Sequence, residues 1–186
     1  PYFEGTALIL IQDSKGNELY RRRVSPNSPE VEITHPNGGE FLKLGQTYKL
    51  TWKANDLDGD KLSYAVSYSN DGGETWNPLI ITLEEPVFLW NTEGLSPGRY
   101  LVRVVASDGF NIGEDVSDRC FILGYVPGDV DGNGAVNYMD LYLLAKAYGS
   151  TPYDLNWNPM ADLNCDNKVN YLDLYILAKH YGQKDP

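Results

Sequence analysis

Six oxygen-bearing positions recur twice in this sequence at one spacing. In "DVDGNGAVNYMD" (129–140), Asp129, Asp131, Asn133, the Ala135 carbonyl, Asn137 and Asp140 fall at positions 1, 3, 5, 7, 9 and 12, with Gly134 at 6. In "DLNCDNKVNYLD" (162–173) the same positions hold Asp162, Asn164, Asp166, the Lys168 carbonyl, Asn170 and Asp173, with Asn167 at 6. This is the spacing of an EF-hand calcium loop, in which position 6 makes a sharp turn. Asn is the residue after Gly that best tolerates the left-handed backbone such a turn demands. All the side-chain donors are oxygens, a set that suits hard Ca²⁺ and not Zn²⁺. Two Ca²⁺ ions are therefore expected, one per loop. Position 12 is Asp rather than the usual Glu, so the helix after each loop must start closer to the ion. Val136 and Val169 at position 8 are expected to form a short β-bridge coupling the loops.

The elements that must position these loops are legible around them. The two segments align at an offset of 33 residues, with Tyr138/Tyr171, Tyr142/Tyr175, Lys146/Lys179 and Tyr148/Tyr181 among the matched pairs. Two copies suit a pair packed on itself with pseudo-two-fold symmetry. "GYVPG" (124–128) places two Gly and a Pro where an incoming helix would lie, so each unit is a loop followed by one helix. Val136, Leu141, Leu144 and Tyr148 recur at helical spacing and are expected to face the other helix, as are Val169, Leu174, Leu177 and Tyr181. A second set remains: Tyr138, Met139, Tyr142, Ala145 and Lys146, matched by Tyr171, Leu172, Tyr175, Ala178 and Lys179. So small a domain cannot hide two apolar faces per helix, and the surplus face is expected to be covered by a partner. One of the two surplus faces has an equal claim to packing on the preceding domain or on "TPYDLNWNP" (151–159).

Upstream the chain changes character. Residues 30–123 carry short strand-like runs: "VEIT", "TYKLTW", "LSYAVSYS", "WNPLIITL", "VFLW", "RYLVRVVAS" and "RCFIL". Breaks such as "PNGG", "NDLDGD", "NDGGE", "LSPG" and "SDGFNIG" separate them. About seven strands at this spacing predict an antiparallel sandwich. Trp52 in an early strand and "LSPGRYLVRVVASDG" near the end resemble fibronectin type III and related immunoglobulin-like domains. Residues 1–29 read as a β-hairpin over 5–24 followed by a linker, either the tail of an upstream module or strands added to the sandwich. The expected organisation is multidomain: hairpin and linker at 1–29, an all-β sandwich at 30–123 and a small all-α unit at 124–186.

The duplicated loop–helix unit with Asp at position 12 resembles the dockerin family. That resemblance covers residues 128–183 and implies a calcium-folded module that binds cohesin domains and plugs secreted proteins into a scaffold or cell surface. Tyr138, Met139, Ala145 and Lys146 fall where dockerins carry their cohesin-recognition residues, as do Tyr171, Leu172, Ala178 and Lys179. Polar-type dockerins often have Ser-Thr at the first two positions. Large apolar residues there imply a different partner class. An immunoglobulin-like domain just upstream resembles the X modules that accompany some dockerins. The resemblance implies a non-catalytic, extracellular docking module. Only five residues, Pro127 among them, separate Leu123 from Asp129, and a flexible tether would be longer, so the sandwich is expected to pack directly on the dockerin.

Composition narrows the alternatives. A net charge of −11 repels phosphate backbones and anionic lipids, which argues against nucleic acid and membrane insertion as partners. The chain begins at Pro1 and reads as a piece of a larger protein. "NDLDGD" (55–60) could bring Asp56, Asp58 and Asp60 to a cation, but no second liganding segment is identifiable, and a polar turn is expected. "SNDGGETW" (69–76) resembles the Asp-box hairpin of sialidases, here in one copy; Asp71 is expected to cap the turn. His35 and His180 have no nucleophile in a recognisable elbow, and no catalytic motif is present. Cys120 and Cys165 give no disulfide framework; an interdomain pair is geometrically possible, but two free thiols are the expectation. Two other readings stay open: a carbohydrate-binding sandwich with an appended dockerin, favoured by a row of exposed Trp and Tyr, and a calcium-responsive regulatory module, disfavoured by the missing incoming helices.

Overall fold

The computed structural model describes residues 8–184. The expected hairpin forms from β1 (Leu8–Gln12) and β2 (Glu18–Arg23), antiparallel; residues 5–7 of its expected first strand lie outside the described residues. Asp13 closes its turn, one carboxylate oxygen accepting from the Lys15 and Asn17 amides at 2.8 and 2.9 Å. β2 touches the sandwich through Arg22, which donates to the Asp108 carbonyl at 2.9 Å and stacks 4.3 Å from the Phe110 ring centroid.

Nine strands build the sandwich. β3 (Glu30–His35), β5 (Thr47–Asn55) and β8 (Val87–Asn91) form one sheet in the order β3-β5-β8. The other sheet runs β4-β11-β9-β6-β7, with β10 also pairing β9; these are β4 (Phe41–Leu42), β6 (Ser63–Ser69), β7 (Asn77–Leu83), β9 (Gly98–Ser107), β10 (Ile112–Val116) and β11 (Phe121–Leu123). Along β9, Tyr100, Val102, Val104 and Ala106 are buried at every second position, the period of a strand with one face in the core. Trp52 meets Tyr64 edge to face at 5.3 Å, and Trp90, Tyr100 and Phe121 fill the centre.

The expected strands are all present, and two more join them. β4 is two residues long and pairs parallel with β11. β10 grows out of "SDGFNIG", which reads as a break because of its glycines. Gly113 is inside that strand because a side chain there would collide with the Pro29 carbonyl.

The C-terminal unit holds two loop–helix pairs, with α1 (Tyr138–Ala147) and α2 (Tyr171–His180) packed on each other and a 3-10 turn at Pro159–Ala161 between them. Its core is Val130, Val136, Leu144, Ala147, Ala161, Leu163, Val169 and Leu177. Phe41 of the sandwich and Trp157 of the connecting segment pack against that core. The sandwich therefore sits directly on the C-terminal unit, as expected.

Three expectations are corrected here. Tyr148 and Tyr181 are half-exposed rather than inward, because each helix ends at the preceding residue and the backbone turns to extended values there (ψ 133° and 130°). Leu174 is likewise exposed, and Ala147 takes up part of the inner face. The position-8 residues do not pair with each other: Val136 exchanges backbone hydrogen bonds with Gly182 and Gln183 beyond α2, and Val169 with Gly149 and Ser150 beyond α1. Each loop is thus tied to the exit of the opposite helix, which preserves the two-fold relation. Finally, Cys120 and Cys165 form a disulfide, with Cα atoms 5.5 Å apart. The fold brings the end of the sandwich against loop two, a closeness that sequence separation does not show.

Candidate metal loops and interaction faces

Each loop is organised by its first and twelfth residues. Asp129 Oδ1 accepts from the Gly132 and Asn133 amides at 2.9 and 3.1 Å, and Oδ2 from Gly134 at 2.9 Å. Asp140 Oδ1 accepts from Val130 and Asp131 at 2.8 and 3.1 Å, and Oδ2 from Asn137 at 2.8 Å. Asn137 caps α1 and Asp140 completes the capping box at N3, so the shorter Asp arm reaches the loop because the helix starts directly on it. In loop two Asp162 accepts from the Asp166 and Asn167 amides, the Cys165 amide donating to its backbone carbonyl instead, and Asp173 accepts from Leu163, Asn164 and Asn170. Asn167 is left-handed at φ 63°, as its position requires, and Cys165 at position 4 joins it at φ 56°; glycines serve both positions in loop one.

Asp129, Asp131 and Asp140 bring carboxylate oxygens within 4.8 Å of one another. Among the described residues the carboxylates of loop two do not close to the same degree; there they stand at positions 1, 5 and 12, with Asn164 at position 3. Burial pushes the Asp129, Asp162 and Asp173 carboxyls above the usual carboxylate range, against the pull of the loop amides and, at Asp162, of Arg99. Asp140 and Asp173 are fully buried. Buried like charges at this distance fit a hard divalent cation, and the oxygen-only donor set fits Ca²⁺. Asn133, Asn137, Asn170 and the Ala135 and Lys168 carbonyls stand in the same loops.

Both surplus helical faces are exposed; neither is covered by the sandwich or by residues 151–159. On α1, Tyr138 is 68% exposed and Met139 47%, with Tyr142, Ala145 and Lys146 beside them. On α2, Tyr171 is 67% exposed and Tyr175 66%, with Leu172, Ala178 and Lys179. Lys146 Nζ lies 5.6 Å from the Tyr142 ring centroid. Two faces of similar chemistry are thus presented in a two-fold arrangement. Tyr148 and Tyr181, turned out just past each helix, are half-exposed as well, which helical periodicity misses.

Elsewhere, Asp71 holds the β6–β7 turn, accepting from Ser69 Oγ at 2.6 Å and the Thr75 amide at 3.0 Å, with Thr75 Oγ1 also bonded to it. Trp76 lies under Arg103, and Trp52 and Trp90 are buried, so the sandwich shows no exposed tryptophan row. In the 55–60 turn, Asp58 accepts from the Asn27 amide and side chain, while Asp56 and Asp60 bring carboxylate oxygens within 4.8 Å of one from Asp108.

Residues 127–181 match the Dockerin type I domain family. No curated protein matches the chain. Among solved structures, the chain is similar to fibronectin(III)-like modules of Clostridium thermocellum CbhA, at 21% identity over 50% of this chain and 94% of that one, with a TM-score of 0.37. It is similar to an N-terminal interface mutant of a type II Cohesin-X-Dockerin complex from Acetivibrio cellulolyticus, at 16% identity over 85% and 97% of the two chains, with a TM-score of 0.31. Chicken CNTN1 FN1-FN3 domains give 18% identity over 62% and 42%, with a TM-score of 0.37. The C-terminal unit thus carries the match to the dockerin family, and it follows a β-sandwich.

Proposed function

We propose that this chain is a non-catalytic docking module. Its dockerin binds a cohesin domain, calcium-dependently, and so attaches an extracellular parent protein to a scaffold or cell surface. Two Ca²⁺ ions would be held by the paired loops, and each would supply the positive charge that lets buried carboxylates sit together at the start of a helix. The observation that carries the reading is the pair of exposed faces, Tyr138–Met139–Tyr142 on α1 and Tyr171–Leu172–Tyr175 on α2. Tyr, Met and Leu anchors with a lysine beside them fit an interface core with a polar rim. The sandwich acts as an X module that braces the dockerin. A disulfide between the two units suits an oxidising, extracellular setting.

Titration calorimetry of the chain against a panel of cohesin domains, with calcium and with chelator, tests this. Tight binding to one class that vanishes with chelator is the expected result. Undiminished binding in chelator, or binding to none of the panel, overturns it.

A further inference from the structure

The two loops are near copies, yet the sandwich treats them differently. Loop two is held from outside at several points. The disulfide fixes Cys165, at position 4, to Cys120 just before β11. Arg99 of β9 donates from Nη2 to Asp162 Oδ2 at 3.1 Å and from Nη1 to the Pro159 carbonyl. Its Nε lies 3.0 Å from Cys120 Sγ, so one guanidinium bridges the disulfide and the loop's first residue. Arg119 Nη1 donates to the Asn164 carbonyl at 3.2 Å. The Arg99 side chain is 20% exposed and that of Asp162 fully buried, so this pair is shielded from water and salt. Loop one has no counterpart among the described residues: Gly132 stands where loop two has Cys165, and the Asp129 carboxylate is met by loop amides and not by any Arg or Lys.

We infer that Arg99 and Cys165 are positioning residues that hold the second loop in its ligand-ready shape without a cation, leaving the first loop to depend on its ion. The inference rests on the reading that both loops take calcium. With the ions removed, Asp129, Asp131 and Asp140 repel with only loop amides and no cationic side chain to offset them, and the loop that seats the α1 cap is free to open. In loop two the guanidinium still compensates Asp162, and the cross-link limits how far position 4 can move. Calcium removal should therefore proceed unevenly, with α1 losing its start and α2 keeping it.

The amides that each carboxylate holds report this directly. Exchange of Val130 and Asp131 (bonded to Asp140) is compared with that of Leu163 and Asn164 (bonded to Asp173), on the whole chain, with calcium and with excess chelator. Chelator should speed exchange at the first pair by about a hundredfold and at the second by less than about tenfold. In the C120S/C165S double variant, and separately in R99M, the second pair should accelerate towards the first, while both loops stay protected when calcium is present. R99M leaves the disulfide in place, so it reads the ion pair even where the double variant folds poorly. Equal acceleration of the two loops in the wild-type chain would overturn the inference and leave the docking reading standing. No acceleration at either loop would overturn calcium dependence itself, and the inference with it.

Discussion

Asn137 and Asp140 cap one another at the start of α1: the Asn137 amide donates to Asp140 Oδ2 at 2.8 Å, while Asp140 Oδ1 gathers the amides of Val130 and Asp131. One carboxylate is therefore the twelfth residue of the loop and the N3 residue of the helix at once. Asp140→Asn, nearly isosteric, keeps a cap but removes the charge. It should weaken calcium binding at the first loop by at least about tenfold, while the matching Asp173→Asn acts on the second. Calorimetric calcium titration of each variant checks this, with two sites resolved in the parent chain and one perturbed in each variant.

Chelation of the native chain should reduce helical circular dichroism and lower the melting temperature of the dockerin, while the sandwich transition stays in place. The two cores are separate clusters, one around Trp90 and Tyr100 and one around Leu144 and Leu177, so the first does not need the second. Coincident loss of both transitions on chelation would contradict it.

The exposed faces give the functional prediction. Tyr138→Ala or Tyr171→Ala should each cost about 2 kcal/mol of cohesin affinity where that copy is the one engaged, and Lys146→Ala or Lys179→Ala much less. Because the two faces are alike, changing Tyr138 and Met139 to Ala could be masked by binding in the rotated pose. The quadruple variant, with Tyr171 and Leu172 also changed, should bind no cohesin. Retained affinity in a folded, calcium-saturated quadruple variant would place the interface elsewhere.

Leu144 and Leu177 are the matched centres of the dockerin core. Truncating either to Ala should cost roughly 3 kcal/mol of stability by leaving a cavity. The loss should appear in denaturant unfolding at saturating calcium, with little change in the sandwich.

Hydrogen bonds from Ser69 and then Thr75 hold the Asp71 carboxyl well below the usual carboxylate range. A carboxyl whose folded value is depressed adds stability above its unfolded value and loses it as pH falls towards the folded one. The sandwich should thus melt at lower temperature on going from neutral into acid solution, and Asp71→Asn should flatten part of that slope. An identical slope in the variant would show that the turn does not contribute.

What could be read from the sequence was local. The loop spacing, the Asn167 turn, the helix starts and the strands of the larger core each follow from residue type and period. What escaped needed a partner from far along the chain. Phe41–Leu42 is a strand because β11 lies beside it, and Gly113 is a strand residue because Pro29 approaches it. Asp108 joins Asp56 and Asp60 from another loop, and Arg99 finds Asp162 across 63 residues. Tyr148 and Tyr181 were misplaced for another reason: helical period was carried one residue past each helix end.

The cross-link between Cys120 and Cys165 also decides how the chain carries mechanical load. A pull transmitted through the sandwich enters the dockerin by two covalent routes, the backbone at Phe121 and the sulfur bridge at Cys165. The bridge is far the shorter, so tension passes straight to the second loop and α2. Loop one, α1 and the connecting segment lie within the span it bypasses. With a partner seated on α2, a tug on a tethered parent protein would thus leave loop one and α1 outside the covalent path under tension.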